Sequence, residues 1–123
     1  MKSKKDLKSE YKLKKFKMGV FQIRNTVNNK IFIDSSINID AIFNRHRLQL
    51  NFGSHPNNLL QNEWKEYGEE QFVFEILAEL KQNETEEIDY AKEAKQLAEM
   101  YIDELKPFDE KGYNKNNVSY KKS

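Results

Sequence analysis

The sequence predicts an α+β domain, a small and mainly antiparallel sheet flanked by helices, in the order β-β-α-α-β-α. Three observations carry this. Apolar residues alternate in three short segments, recur at three- and four-residue intervals in three others, and Asn, Gly or Pro stands at the junctions. One domain suits a chain of 123 residues.

The first strand covers residues 18–24, Met-Gly-Val-Phe-Gln-Ile-Arg, and the second residues 30–34, Lys-Ile-Phe-Ile-Asp. Both are rich in strand formers, and the largely polar stretch Asn25-Thr26-Val27-Asn28-Asn29 makes them a hairpin. After Ser35-Ser36 the period changes. Ile39, Ile42, Phe43, His46 and Leu50 share one helical face, with Asn38 or Ser36 as N-cap and an end near Phe52-Gly53. Pro56 opens a second helix, where its missing N–H costs nothing; Leu59, Leu60, Trp64 and Tyr67 line it and Gly68 closes it. Phe72, Phe74 and Ile76 alternate in a third strand over 71–80. A long helix over 86–105 follows, capped by Asn83 or Thr85, with the stripe Ile88, Ala91, Ala94, Ala98, Tyr101 and Leu105; Pro107 ends it, and Gly112-Tyr113-Asn114 lies in the loop beyond. Residues 1–17 are a basic N-terminal arm or short helix, 18–115 the domain, and 116–123 a polar tail.

Composition narrows the classes. Fifteen aromatic residues can bury enough apolar surface to form a core despite a mean hydropathy of −0.93. The absence of cysteine excludes disulfides and Cys-based zinc sites, and two histidines alone make no zinc site. No apolar run reaches membrane-spanning length, and no apolar stretch of secretory type follows the basic N-terminus, so the expectation is a soluble, cytoplasmic protein without a membrane partner. Charge is segregated: residues 1–47 hold 12 Lys and Arg against 4 Asp and Glu, whereas residues 48–110 hold 5 Lys against 16 Asp and Glu. That permits a polyanion on one face, although charge alone favours a solvated surface whose charges happen to be segregated.

An ordered string of landmarks sharpens the reading: Gly19-Val20-Phe21; Phe32-Ile33-Asp34 followed by Ser35-Ser36; His46; Gly53-Ser54-His55-Pro56-Asn57; Leu60-Gln61-Asn62-Glu63-Trp64; Tyr67-Gly68; Phe72 to Leu77; Tyr101-Ile102; and Gly112-Tyr113-Asn114. From Gly19 to Asn114 the chain resembles the GIY-YIG endonuclease domain. The resemblance implies a three-stranded antiparallel sheet flanked by helices. It also implies hydrolysis of a phosphodiester by in-line attack of water with one divalent metal, a tyrosine as general base, a second tyrosine positioning the nucleophile, an arginine on the phosphate and a glutamate on the metal.

The positions that the resemblance assigns to those groups hold other residues. Phe21 and Phe32 stand at the two tyrosines, Asp34 at the motif glycine, Ile42 at the arginine and Ala98 at the metal glutamate. Phenylalanine cannot relay a proton, isoleucine cannot pair with phosphate and alanine cannot ligate Mg²⁺. Arg45 and His46 are the candidates for rescue, with Asp34 a further oxygen; Glu99, beside Ala98, is rotated by roughly 100° on an ideal helix and is expected to face away. The leading expectation is therefore a catalytically impaired domain that binds DNA. A nuclease with relocated groups, needing Mg²⁺, is the alternative, and a protein-interaction module whose acidic region meets a basic partner is the second. Candidate nucleic-acid contacts are Lys12, Lys14, Lys15, Lys17, Arg24, Arg45, Arg47, His55, Asn57, Gln61 and Asn114. Trp64, Tyr67, Phe72 and Phe74 read as core rather than a stacking platform, and Glu84, Glu86, Glu87 and Asp89 as a helix start rather than a metal site. Oligomeric state has no signature in the chain.

Overall fold

The computed structural model describes residues 16–82 and 87–115. Strands β1 (Met18–Asn25), β2 (Ile31–Ser36) and β3 (Phe72–Leu80) form one antiparallel sheet in the order β2-β1-β3. Helices α1 (Ile39–Phe52) and α2 (Asn58–Tyr67) follow β2, a 3-10 turn (Glu69–Gln71) leads into β3, and α3 (Tyr90–Leu105) completes the order. The three-stranded antiparallel α+β fold expected from the sequence is the one observed.

The period of two along β1 divides two cores. Phe21 and Ile23 face Ile39, Leu50, Leu60, Trp64 and Phe72, under α1 and α2. Val20 faces Ile33 and Ala98, under α3. The β1–β3 register slips between Val20 and Phe21, which pair with Ala78 and Ile76 and leave Leu77 as an extra residue. Gly19 makes the adjoining close approach possible: its φ is +148°, and a Cβ there would stand 2.0 Å from the Ala78 carbonyl oxygen.

The hairpin turn is held from inside. The Asn25 side chain is fully buried, and its amide donates to Glu63 Oε1 and to the Tyr113 hydroxyl, each at 3.1 Å. Glu63 also accepts from Tyr113 at 2.7 Å, Asn28 at 2.8 Å and Lys30 at 3.2 Å. The turn, α2 and the C-terminal loop are thus tied to one nearly buried carboxylate. Burial drives its pKa up, but the hydrogen bonds from Tyr113, Asn28 and Lys30 prevail and hold it below the ordinary carboxylate value. The same C-terminal loop covers the outer edge of β2 through a bridge between Ile31 and Gly112.

Four boundaries or faces differ from those read in the sequence. Asn57, not Pro56, sets the start of α2: its side chain accepts from the Leu60 N–H, and Pro56 precedes the cap. Leu59 is 40% exposed, while Gln61 and Glu63 are buried on that helix, because internal hydrogen bonds stabilise two polar groups that periodicity alone reads as solvated. The last helix starts at Tyr90 with Asp89 as cap, so Glu87 and Ile88 precede it; Asn83 and Thr85 lie outside the described residues. Its packed stripe is Ala94, Leu97, Ala98, Tyr101 and Ile102, whereas Ala91 and Leu105 are exposed. Asn38 caps α1, and Ser36 supports it by accepting from the Asn38 N–H. Among the described residues no helix is long and apolar enough to cross a membrane.

Candidate nucleic-acid interface

Two sites flank the sheet, one under α1 and α2 and one beside α3. On the α1 side lies a closed aromatic slot. Phe21, fully buried, packs edge-on against Phe43 at 5.3 Å between centroids and tilts against His46 at 5.7 Å. Phe32 packs edge-on against His46 at 5.6 Å and His55 at 6.3 Å. Ile42 is partly buried against the same core. The three residues are thus part of the apolar packing, where phenylalanine and isoleucine need no hydrogen-bond partner.

The two histidines form a hydrogen-bonded pair, His46 Nδ1 to His55 Nε2 at 2.8 Å. Their tautomers follow from the neighbours. The Asn57 N–H donates to His55 Nδ1 at 3.0 Å, so that nitrogen keeps its lone pair and His55 carries its proton on Nε2. That proton is donated to His46 Nδ1, which leaves His46 protonated on Nε2, a buried atom without an acceptor. Burial, then the nearby charges of His55 and Arg45, pushes the His46 pKa down to about 4; burial also lowers that of His55. Both rings are neutral at pH 7. The lone pair of His46 is spent on His55, so it has none to offer a nucleophilic water.

Most of the polar side chains singled out in the sequence are committed within the fold. Gln61 accepts from the His55 N–H and donates to the Leu50 carbonyl, each at 2.9 Å. Asn57 caps α2 and donates to the Tyr113 carbonyl at 2.6 Å. Asn114 accepts from the Ile33 N–H and donates to the Ile33 carbonyl, both at 2.8 Å, in the manner of an added strand residue. Arg24 pairs with Glu75 at 2.9 Å, and Arg47 lies 3.6 Å from Glu69 and 4.5 Å above the Phe74 ring. Arg45 and Lys17 are exposed. Lys12, Lys14 and Lys15 lie outside the described residues.

On the α3 side lies an open groove of about 240 Å³. Asp34 and Ser35 from β2, Lys95, Ala98, Glu99 and Ile102 from α3, and Phe108, Asn114 and Lys115 from the C-terminal loop line it. Ala98 is buried against Val20 and Ile33 and presents only a methyl group. Glu99, expected from helical rotation to face away, lines the groove, because the groove wraps around one side of α3 and spans more than the arc of a single residue. Asp34 stands at the exposed rim. The groove walls raise its pKa, against the opposing pull of the Ser35 N–H at 2.8 Å and of Lys95. Lys95 and Lys115 were not among the candidates read in the sequence; the signal for Lys95 was its place three residues before Ala98 on one helix.

The donor set does not fit the divalent metal that the resemblance implies. A hard cation takes several oxygen ligands, and here Ala98 supplies none while two ammonium groups share the groove with Asp34 and Glu99. Among the described residues no three His, Asp or Glu side chains converge on a point that a metal ion could occupy.

Comparison with known proteins places this geometry. Intron-associated endonuclease 1 of Enterobacteria phage T4 is 36% identical over 66 residues, which cover 52% of this chain and 26% of the relative. The match therefore spans about a quarter of the phage protein. Two solved structures of the catalytic domain of the intron (homing) endonuclease I-TevI also match. One, a mutant form, gives a TM-score of 0.66 at 29% identity, over 80% of this chain and 93% of that one. The other gives 0.67 at 27% identity, over 81% and 99%. No family model matches the chain.

Proposed function

We propose, from the premise that this chain is a GIY-YIG nuclease-like domain, that it binds DNA and cuts it poorly or not at all. One observation carries the reading: the side chains at the positions of the reacting groups have become packing. Phe21 is wholly buried, Ile42 and Phe32 pack on the same core, and Ala98 sits in the core under α3. The candidate rescuers do not restore the missing set. His46 has its lone pair engaged, and the exposed Arg45 supplies charge but neither a base nor a metal ligand. Exposed Lys17, Arg45, Lys95 and Lys115 supply cations for a phosphate backbone, and Lys12, Lys14 and Lys15 add to them in sequence.

The test restores the chemistry. Wild type and the variant Phe21→Tyr, Phe32→Tyr, Ile42→Arg, Ala98→Glu are compared for binding and for Mg²⁺-dependent cleavage of supercoiled, nicked and branched DNA. Binding by both proteins with cleavage only by the variant is expected. Cleavage by wild type that is lost in Arg45→Ala would establish the alternative, a nuclease with relocated groups.

A second reading, a protein-interaction module, draws on a different observation. Leu48 and Phe52, one turn apart on α1, are 58% and 81% exposed. A gel shift that stays negative at low salt would favour it.

A further inference from the structure

The groove beside α3 combines apolar lining with four charged groups, two of each sign. Ala98, Ile102 and Phe108 are the apolar residues; Asp34, Lys95, Glu99 and Lys115 are the charged ones. Lys95 lies three residues before Ala98 and four before Glu99, so all three share one face of α3. A divalent cation entering here would meet two ammonium groups. Its desolvation would have to be repaid by two carboxylates already set among those cations, one of them also accepting a backbone N–H. An anion meets a different arrangement. Lys95 and Lys115 are exposed and carry their charge on long flexible stems that can extend to a phosphate, whereas Asp34 is short and accepts from the Ser35 N–H beside it, and Glu99 is half-buried against the groove.

We propose that this groove receives a phosphodiester oxygen of the nucleic acid without a divalent metal, with the Lys95 and Lys115 ammonium groups supplying the positive charge. The inference deepens the DNA-binding reading and rests on it. It assigns that site two residues and a metal-independent mode of contact.

The experiment measures DNA affinity of the full chain by fluorescence anisotropy across a salt series, in Mg²⁺ and in EDTA at matched ionic strength. Affinity in EDTA is expected to equal or exceed that in Mg²⁺. The double variant Lys95→Gln, Lys115→Gln is expected to bind more weakly and to lower the slope of log affinity against log salt by about one, for the single phosphate that the two lysines share. Lys81→Gln, an exposed lysine at the end of β3 and outside the groove, serves as the control and should leave the slope unchanged. Binding that needs Mg²⁺, or a double variant with wild-type affinity and slope, would overturn the inference while leaving the DNA-binding reading intact. No binding by wild type at low salt would instead overturn that reading, and this inference with it.

Discussion

The slot under α1 and the groove beside α3 lie on opposite faces of one small sheet, and they use their polar groups differently. In the slot, every polar side chain is turned inward: His46 and His55 bond to each other, Gln61 bonds to the backbone, and Phe21 and Phe32 close the space between them. In the groove, Asp34, Lys95 and Lys115 are exposed and Glu99 is half-buried, all four around the methyl group of Ala98. The contrast shows where each face puts its free energy. The slot contributes stability through packing and internal hydrogen bonds, although His46 Nε2 is buried there without an acceptor, and the groove holds groups of both charges at the surface.

Four predictions test that division, from the largest expected effect to the smallest. Phe21→Ala should be severe, because it empties a fully buried ring position between Phe43 and His46; a loss of about 3–5 kcal/mol is expected in urea unfolding. A loss under about 1 kcal/mol, the range of exposed substitutions, would mean that the slot is not the packed region described.

The histidine pair should make the slot acid-sensitive. His46 titrates at about 4 in the fold and near its ordinary value of 6.5 in the unfolded chain. The unfolded state therefore binds more protons between these limits. The contribution is fully present above the unfolded value and is lost as pH falls towards the folded one, a total on the order of 3 kcal/mol. Thermal unfolding followed from neutral pH down to about 4 should show this decline, and His46→Gln should flatten it. An unchanged slope in the variant would assign the acid sensitivity elsewhere.

Glu63→Gln separates the buried network from both faces. It removes the charge that Lys30 pairs with and misplaces a donor against Asn25, Asn28 and Tyr113, so about 1–3 kcal/mol should be lost at neutral pH. The carboxylate's pKa is lowered in the fold, so its stabilisation is present above the ordinary carboxylate value and disappears as pH falls through the folded one. Wild type and variant should therefore converge in stability in acid, a trend that equilibrium unfolding would reveal. The smallest effects belong to exposed charge. Arg24→Gln should cost less than about 1 kcal/mol, because its pair with Glu75 is about one-third exposed on both sides. A larger loss would make that surface pair a structural element.

The sequence was most legible where one residue type has one local job. Asn38 as a cap, the alternation of Phe72 and Phe74, and the turn at Asn25–Asn29 follow from backbone chemistry within a few residues. The landmarks from Gly19 to Asn114 named the fold differently, through the family resemblance that the whole ordered set carries. What depends on residues far apart in the chain was not legible. Glu63 and Gln61 look like solvated helix positions until Tyr113, Asn25 and Leu50 are placed beside them. Asp89 as the start of α3 lost to Asn83 and Thr85 because several capping residues crowd one short stretch and periodicity does not rank them. The groove was half visible. Ala98 was identified from its position, but Lys95 and Lys115 gain meaning only when the C-terminal loop folds back against α3 and β2.

Whether packing has replaced the reacting groups is read most directly from nicking of supercoiled DNA by the wild-type chain in Mg²⁺, run at protein concentrations that saturate binding. Bound DNA that remains supercoiled is expected. Multiple-turnover nicking that Arg45→Ala or His46→Ala abolishes would contradict it.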